Sequence, residues 1–257
     1  SFKTFLGVFE SVDEASKTVG DIIAVGIVPG ALEMMDQLIT RTVEEAYHFG
    51  FPLDAGALLI VELDGLKDGV EAQALCVEEI CRKNNAREVR IAKDDAERAA
   101  LWKCRKRAFG AVGRISPNYV TQDGVVPRSK LPQIMRFIRA TSEKFELRIP
   151  NVFHAGDGNI HPLILFDERQ PGEVQRALAA GQEILEKCIA LGGSVTGEHG
   201  IGAEKIDLMA KQFSKDDLEA MKALRRAFDP DRRCNPHKIF PGSKRCAEFT
   251  PRKQAAA

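Results

Sequence analysis

Short apolar runs of strand length and longer amphipathic stretches take turns along the chain. The segment ALLIVEL at 57–63 is a continuous apolar run, which is typical of a buried central strand. Shorter runs of strand character predict further strands elsewhere. These additional predicted strands cover 2–10, 89–92, 118–126, 148–154 and 160–166.

Stretches with apolar residues at helical spacing predict helices between the strands. Ser11 and Ser214 each precede such a stretch and have the hydroxyl typical of an N-cap. Pro29 precedes a run at 31–48 that we interpret as one long amphipathic helix, and His48 at its end is expected to have a capping or surface role. The other predicted helices cover 11–20, 67–83, 94–112, 127–145 and 171–191, with two more on either side of Ser214.

The order of these elements predicts the fold class. Strands and helices are mixed without a strict β-α-β repeat, which favours an α+β fold with an antiparallel sheet covered by helices. No internal repeat or low-complexity linker divides the sequence. We therefore predict one continuous domain over 1–257, including a helical and extended tail from about residue 205.

Composition and charge make several classes of protein poor candidates. Lys plus Arg equals Asp plus Glu at 37 each, so there is no bulk attraction to nucleic acid or to anionic membranes, although a local basic patch stays compatible with a neutral total. No stretch reaches the roughly 20 apolar residues that cross a bilayer. Six cysteines occur without a CxxC pair, which favours reduced thiols in a cytoplasmic protein. The chain begins abruptly in a predicted strand, as expected for part of a longer chain.

The segment HAGDGNIH is the first candidate for chemistry. Gly156 and Gly158 permit the positive φ values of a tight hairpin turn, so His154 and His161 can converge from two adjacent strands. Neutral imidazoles are common ligands of zinc and other late first-row metals. The alternative is a turn with two surface histidines, and Asp157 is either a further ligand or a turn-forming residue.

The segment GEHGIG is the second candidate. Glu198 supplies a carboxylate, which with His154 and His161 gives the three protein ligands of a catalytic metal site. His199 is a titratable neighbour. The surrounding glycines suggest close approach of the backbone to a ligand, and a flexible loop or a phosphate cradle are the alternatives. Phosphate binding is less favoured because the segment has neither a Walker lysine nor GxGxxG.

Several spaced motifs together carry a resemblance to a known family. HAGDGNIHP, SVTGEHGIG and NPHKIFP resemble the C-terminal domain of FAD-linked oxidases related to vanillyl-alcohol oxidase, including the D-lactate and D-2-hydroxyglutarate dehydrogenase branch. RKRAFGAVGRISPNYVTQDGVVPRSKLP and the tail RCAEF are most similar to the FAD subunits of bacterial glycolate oxidases. The resemblance covers nearly the whole chain and implies a ferredoxin-like α+β domain.

The resemblance also implies roles for individual residues. His154, His161 and Glu198 match the family's ligands for a divalent metal, which zinc, manganese or iron would suit. His199 is implied to accept a proton from the substrate, and Arg105 to hold the substrate carboxylate. From spacing alone, the cluster of Arg105 with Lys103, Lys106 and Arg107 fits a solvated helix face equally well, and Arg114 and Arg128 are alternative carboxylate ligands.

The family relation implies FAD as cofactor. Asn235 and Lys238 match a tail motif that approaches the flavin. FAD is implied to be held mainly by an N-terminal domain with its own pyrophosphate loop, and this sequence has no counterpart of that loop, so we expect the chain alone to bind flavin weakly or not at all. Phe109 and Thr121 stand where the hydroxyglutarate branch has a threonine and a lysine, which argues against long substrates.

We therefore expect the substrate- and metal-binding part of a flavin-dependent enzyme that oxidises glycolate or D-lactate. A metal-dependent hydrolase with the same ligands and a domain stapled by a structural metal are the alternatives. The resemblance also implies partners, namely a second flavin-type subunit and an iron–sulfur subunit. The expected location is cytoplasmic, or peripheral to the inner membrane through those subunits, with no nucleic-acid partner.

Overall fold

The computed structural model describes residues 1–241, and these contain eight strands and eight α-helices. The strands are β1 (Phe2–Phe9), β2 (Ala31–Asp36), β3 (Ala57–Asp64), β4 (Glu88–Ile91), β5 (Asn118–Thr121), β6 (Gly124–Val125), β7 (Asn151–His154) and β8 (Asn159–Phe166). The helices are α1 (Val12–Ala24), α2 (Gln37–Tyr47), α3 (Lys67–Lys83), α4 (Asp95–Val112), α5 (Leu131–Phe145), α6 (Glu173–Ala190), α7 (Ile206–Gln212) and α8 (Lys215–Phe228), with a 3-10 turn at Arg128–Lys130.

The strands form one antiparallel sheet in the order β4-β1-β3-β2-β7-β8-β5, and β6 pairs with β8 beside this path. The predicted α+β fold with an antiparallel sheet covered by helices is confirmed. The run predicted as a central strand is β3, which pairs with β1 on one side and β2 on the other. The strand predicted at 118–126 is divided into β5 and β6.

Two hydrophobic clusters occupy the two faces of the sheet. On one face, buried residues of α1, α3, α5 and α6 pack against the strands. On the other face, α2 and α4 pack against buried strand residues that include Met35, Ile60 and Val152. Strand side chains alternate between faces. A polar residue two positions along its strand from Met35, Ile60 or Val152 therefore lies on this same face, under α2 and α4. This second face holds the candidate site.

The single long helix predicted at 31–48 is wrong in its first part. Residues Ala31–Asp36 form β2, and only Gln37–Tyr47 are helical. Leucine, glutamate and methionine favour helices in isolation, but β2 is paired on both edges, with β3 and with β7. Asp36 then caps α2, because its side chain accepts a hydrogen bond from Ile39 N at 2.9 Å. His48 is the left-handed C-cap of α2, which agrees with its predicted capping role.

The chain divides into two compact units, Ser1–Glu198 and His199–Ala257. The first contains the sheet and α1–α6, and the second contains α7 and α8, where Ser214 caps α8 as predicted. The tail predicted from about residue 205 lies inside the second unit. Cys246 and the rest of the RCAEF segment lie outside the described residues. Within 1–241, the structure has no helix with the length and apolar character that crossing a membrane requires.

Candidate metal centre

The β7–β8 hairpin brings the two histidines of HAGDGNIH together. Val152 stands opposite His161 in the register, and His154 stands opposite Asn159. Residues two apart on a strand share a face, so both histidines lie on the face covered by α2 and α4. Their ring centroids are 5.2 Å apart and the rings are nearly perpendicular. The predicted convergence of the two imidazoles therefore occurs.

The turn of this hairpin depends on Gly158, which has a φ of +73°. A Cβ at this position would lie 2.0 Å from the carbonyl oxygen of Val126. The two residues are also held together by a hydrogen bond from Val126 N to Gly158 O at 3.0 Å. A larger residue would therefore displace the backbone next to both histidines.

We predict that Gly158→Ala lowers the free energy of unfolding by about 3 kcal/mol, because the clash adds to the unfavourable backbone conformation. Gly172→Ala is the matched control, since Gly172 also has positive φ, at +81°, but a methyl group added there would have no atom within 4 Å. Its cost should be only about 1–2 kcal/mol. Urea unfolding of both variants measures the difference, and equal midpoints would contradict this account of the hairpin.

Glu198 completes the cluster around the two imidazoles. Its Oε1 lies 3.0 Å from His161 Nε2 and 3.5 Å from His154 Nε2. The side chain of His161 is only 2% exposed, whereas that of Glu198 is 51% exposed. One carboxylate oxygen and two imidazole nitrogens are thus grouped at a site that is buried on the histidine side and open on the carboxylate side. This donor set fits a divalent first-row metal.

The segment that carries Glu198 is fixed by Asp123, a residue that the sequence analysis missed. Asp123 is fully buried, and its carboxylate accepts hydrogen bonds from Thr196 Oγ1 at 2.6 Å, Gly197 N at 3.0 Å and Glu198 N at 3.2 Å. An oxygen of Asp123 also lies within 4.8 Å of ligand atoms of His161 and Glu198. The Asp-Gly pair at 123–124, which interrupts a predicted strand, was the signal that could have indicated a turn there.

The glycine-rich segment before Glu198 also approaches the sheet closely. Ser194 forms two backbone hydrogen bonds with Val125, and a Cβ on Gly193 would lie 1.8 Å from the Val125 carbonyl oxygen. At Gly193 the close approach is to the backbone of β6, and the predicted approach of these glycines to a ligand stays a prediction. The contact with β6 brings Glu198 to the end of the hairpin.

A second feature of the site that the sequence analysis missed is a bridge formed by Glu33 of β2. Its Oε1 lies 2.7 Å from His154 Nδ1, and its Oε2 accepts a hydrogen bond from Arg105 Nε at 2.8 Å. Arg105 and Glu33 are both buried. Glu33 falls within the helix predicted at 31–48, and only its pairing in the sheet brings it to His154.

Arg105 differs from the three cations nearest to it in α4 in being buried. It is buried against the sheet, whereas Lys103, Lys106 and Arg107 are exposed. The solvated-face interpretation therefore holds for the other three residues and not for Arg105. Its terminal N–H groups make no hydrogen bond within residues 1–241, which leaves the planar fork available to a carboxylate.

The two alternative arginines occupy different surroundings. Arg114 is exposed and its guanidinium lies 5.4 Å from the centroid of the Tyr47 ring. Arg128 donates to the carbonyl of Gly156 at 3.0 Å and lines a cavity of about 260 Å³ that His154 and Glu33 also line. Arg128 is therefore the stronger of the two alternatives.

The pKa values of the two histidines are shifted in opposite directions. The hydrogen bond with Glu33 raises the pKa of His154, and burial lowers the pKa of His161. Burial therefore favours the neutral imidazole of His161, which is the form that binds a metal. Asn159, opposite His154, has a buried Oδ1 with no hydrogen-bond partner in the described part of the chain. This atom could accept a hydrogen bond from a bound ligand.

Three further predicted site residues belong to the second unit. His199 is its first residue and is exposed. Asn235 and Lys238 lie in the segment after α8, where their carbonyl oxygens accept hydrogen bonds from Arg225 at 2.7 and 3.1 Å. The extended structure predicted for this segment is wrong, because it consists of turns and bends and Asn235 itself has a φ of +45°. Arg225 of α8 thus fixes the backbone of this segment. The predicted contacts of Asn235 and Lys238 with flavin stay predictions.

Comparison with known proteins identifies the family. The family model described as "FAD linked oxidases, C-terminal domain" matches residues 1–239. The chain belongs to this family. The match agrees with the resemblance that the spaced histidine, glutamate and asparagine motifs predict.

Relatives of this FAD-linked oxidase domain include proteins named as a glycolate oxidase subunit and as a D-lactate dehydrogenase. The chain is 51% identical over 247 residues to glycolate oxidase subunit GlcD of Escherichia coli strain K12, covering 96% of this chain and 50% of that protein. It is 31% identical over 235 residues to a probable mitochondrial D-lactate dehydrogenase of Danio rerio, covering 90% of this chain and 47% of that protein. The chain spans about half the length of the curated relatives it matches.

Solved structures share the fold at low sequence identity. p-Cresol methylhydroxylase with substrate bound aligns with a TM-score of 0.71 at 16% identity, over 93% of this chain and 52% of the other. 4-Ethylphenol oxidase from Gulosibacter chungangensis aligns with a TM-score of 0.69 at 14% identity, over 94% of this chain and 54% of the other. At these identities the likeness establishes the fold of the domain.

Proposed function

We propose that this chain is the substrate- and metal-binding part of a flavin-dependent dehydrogenase that oxidises a small 2-hydroxy acid, glycolate or D-lactate, to the 2-oxo acid. The observation that carries the proposal is the adjacency of the His154, His161 and Glu198 cluster to Arg105, through Glu33. A 2-hydroxy acid presents a hydroxyl and a carboxylate to such a pair of sites. The names of the glycolate oxidase and D-lactate dehydrogenase relatives support the same class of substrate.

A divalent metal and FAD would each supply one part of the chemistry. A divalent metal held by His154, His161 and Glu198, with zinc, manganese and iron as candidates, would act as a Lewis acid toward the substrate hydroxyl. FAD, bound mainly by another domain and approached by Asn235 and Lys238, would supply the acceptor for the C2 hydride.

The side chains of this chain would bind the substrate and move its proton. The guanidinium of Arg105 would hold the substrate carboxylate through paired N–H donors, a geometry that lysine cannot reproduce. The imidazole of His199 would accept the hydroxyl proton as the C2 hydride leaves, which gives the 2-oxo acid. Asn159 Oδ1, buried without a partner in residues 1–241, would accept a hydrogen bond from the ligand.

The surroundings of His161 favour a short substrate. The Phe109 ring of α4 lies with its centroid 6.4 Å from that of His161, in an edge arrangement. Thr121 stands opposite Leu163 in the pairing of β5 with β8, and so shares the face of His161. Neither the apolar ring of Phe109 nor the uncharged side chain of Thr121 supplies a cation that could bind a second carboxylate. These two positions therefore favour a monocarboxylic acid as substrate.

The proton-acceptor role is tested with His199→Ala in the natural protein that carries this chain, with flavin bound. We predict that the rate of flavin reduction by glycolate or D-lactate falls about 10²- to 10⁴-fold, the usual contribution of a general base, while metal content stays unchanged. Stopped-flow absorbance of the flavin and elemental analysis measure the two quantities. His48→Asn is the control, because His48 caps α2 in a left-handed conformation that asparagine tolerates.

Two other outcomes would contradict this role. Loss of metal from His199→Ala would make His199 a ligand, and an unchanged rate of flavin reduction would remove it from the reaction. A protein whose flavin is reduced by neither 2-hydroxy acid would contradict the dehydrogenase function itself and would favour the hydrolase alternative.

We also propose that the chain works within a complex. One relative is named as a subunit of glycolate oxidase, which supports partner subunits, and a second flavin-type subunit with an iron–sulfur subunit would pass on the electrons. Such a complex would be cytoplasmic or peripheral to the inner membrane.

A further inference from the structure

Glu33 has a position that the sheet itself imposes. In the pairing of β2 with β7 it stands directly opposite His154. Side chains of directly opposite residues lie on the same face, with Cβ atoms about 4.5–5.5 Å apart. The register therefore makes Glu33 a neighbour of His154, and the same face is covered by α4, which carries Arg105.

The two oxygens of Glu33 have separate partners. Oε1 lies 2.7 Å from His154 Nδ1, and Oε2 accepts from Arg105 Nε at 2.8 Å. Since a carboxylate only accepts hydrogen bonds, it places a proton on Nδ1 of His154 and leaves Nε2 for a metal. The carboxylate of Glu33 accepts only from Nε of Arg105. This contact orients the guanidinium and leaves its two terminal N–H groups for another acceptor.

The buried setting makes Glu33 an unusual choice for packing alone. It is 8% exposed, and its neighbours Leu32, Met34 and Met35 in β2 are buried apolar residues. A buried carboxylate is costly, and replacing a buried ion pair with apolar residues is often neutral or stabilising. A packing role could therefore be filled by an apolar residue at this position, whereas the contact with His154 could not.

We propose that Glu33 is a positioning residue that orients His154 toward the metal and Arg105 toward the substrate carboxylate. One side chain then connects the proposed metal ligands with the proposed carboxylate-binding residue. This inference rests on the proposed function. It predicts that a change at Glu33 alters metal affinity and substrate KM together.

The chain contains a matched control for this proposal. Glu62, on the same face of β3, also binds α4, through two hydrogen bonds with Arg98 at 2.7 and 2.8 Å and one from Trp102 Nε1 at 2.6 Å. It is 8% exposed, as Glu33 is. Glu62→Gln therefore weakens an attachment of α4 to the sheet that has more hydrogen bonds than that of Glu33, but it removes no contact with a histidine of the cluster.

The experiment compares Glu33→Gln, Glu33→Asp and Glu62→Gln in the natural protein that carries this chain. Titration of the metal-free proteins with Mn²⁺ and Zn²⁺ should give a Kd about 10- to 100-fold higher for Glu33→Gln, the usual effect of losing an outer-shell partner. The absorption spectrum of the Co²⁺ form should change as well, and KM for glycolate should rise. Glu33→Asp keeps the charge at a greater distance and should lie between wild type and Glu33→Gln. Glu62→Gln should keep the wild-type Kd, spectrum and KM.

Two results would overturn the role of Glu33. One is a wild-type metal Kd in Glu33→Gln, and the other is an equal loss in Glu62→Gln, which would reduce the effect to the attachment of α4. The double variant His154→Ala, His161→Ala separates this failure from that of the proposed function. If the double variant binds metal as wild type does, the metal site itself is wrong; if it binds none while Glu33→Gln binds normally, only the inference on Glu33 fails.

Discussion

Replacing His154 and His161 together with alanine should remove the divalent metal from the protein and lower turnover more than about 100-fold. Loss of one outer-shell partner already costs about 10- to 100-fold in affinity or activity, and this variant removes two of the three proposed ligands themselves. Both imidazole Nε2 atoms lie within 3.5 Å of Glu198 Oε1, so of the three proposed ligands only the exposed carboxylate of Glu198 would be left. One carboxylate cannot supply the three protein ligands of a catalytic metal site.

Elemental analysis of the purified protein beside the double variant measures this effect. Near-stoichiometric zinc, manganese or iron in the wild type and none in the variant would establish the site and name the metal. The control is His48→Asn, which changes a histidine at the end of α2 and should keep the wild-type metal content. Wild-type protein that stays empty after metal is added back, or a double variant with full metal content, would contradict the metal centre.

Arg105→Lys should raise KM for the 2-hydroxy acid about 10- to 100-fold while the protein stays folded. A hydrogen bond to a charged group contributes about 1.5–3 kcal/mol, and lysine keeps the charge but loses the planar fork that could serve Glu33 and a substrate carboxylate at once. Arg105→Ala should instead destabilise the fold by about 3–5 kcal/mol, because Glu33 would be left buried without its cation. Steady-state kinetics and urea unfolding measure these two effects.

Two further variants are the controls for the effect of Arg105→Lys on KM. Arg107→Lys changes an exposed arginine of the same helix, which lies over the Tyr47 ring, and should leave KM unchanged. Arg128→Lys changes the arginine that lines the cavity beside His154. An unchanged KM in Arg105→Lys together with a raised KM in Arg128→Lys would transfer the carboxylate-binding role to Arg128.

The proposed metal ligands could be predicted from local signals, whereas the residues that hold them in place could not. The turn glycines of HAGDGNIH and the carboxylate of GEHG are visible within a few residues of sequence. Glu33 is separated from His154 by 121 residues, and Asp123 from Glu198 by 75. Nothing in the local pattern of either residue indicates these contacts, since both depend on pairings between distant segments.

The error over 31–48 shows the same limit. Residues of high helix propensity precede the capping residue Asp36, so local preference favours one continuous helix. Pairing of β2 with β3 on one edge and β7 on the other makes them a strand instead. Glu33 could not be recognised as part of the site while it was assigned to a helix.

By itself the sequence determined the α+β class, most helix and strand positions, the caps at Ser11 and Ser214, and the family. These follow from periodicity, capping chemistry and spaced motifs, all of which act over short distances along the chain. Only the tertiary structure decided that Arg105 alone among its cationic neighbours faces the sheet, and that Glu33 joins it to His154. The physical reason is that strand register and the packing of α4 on one face are set by burial across the whole domain, which no local segment encodes.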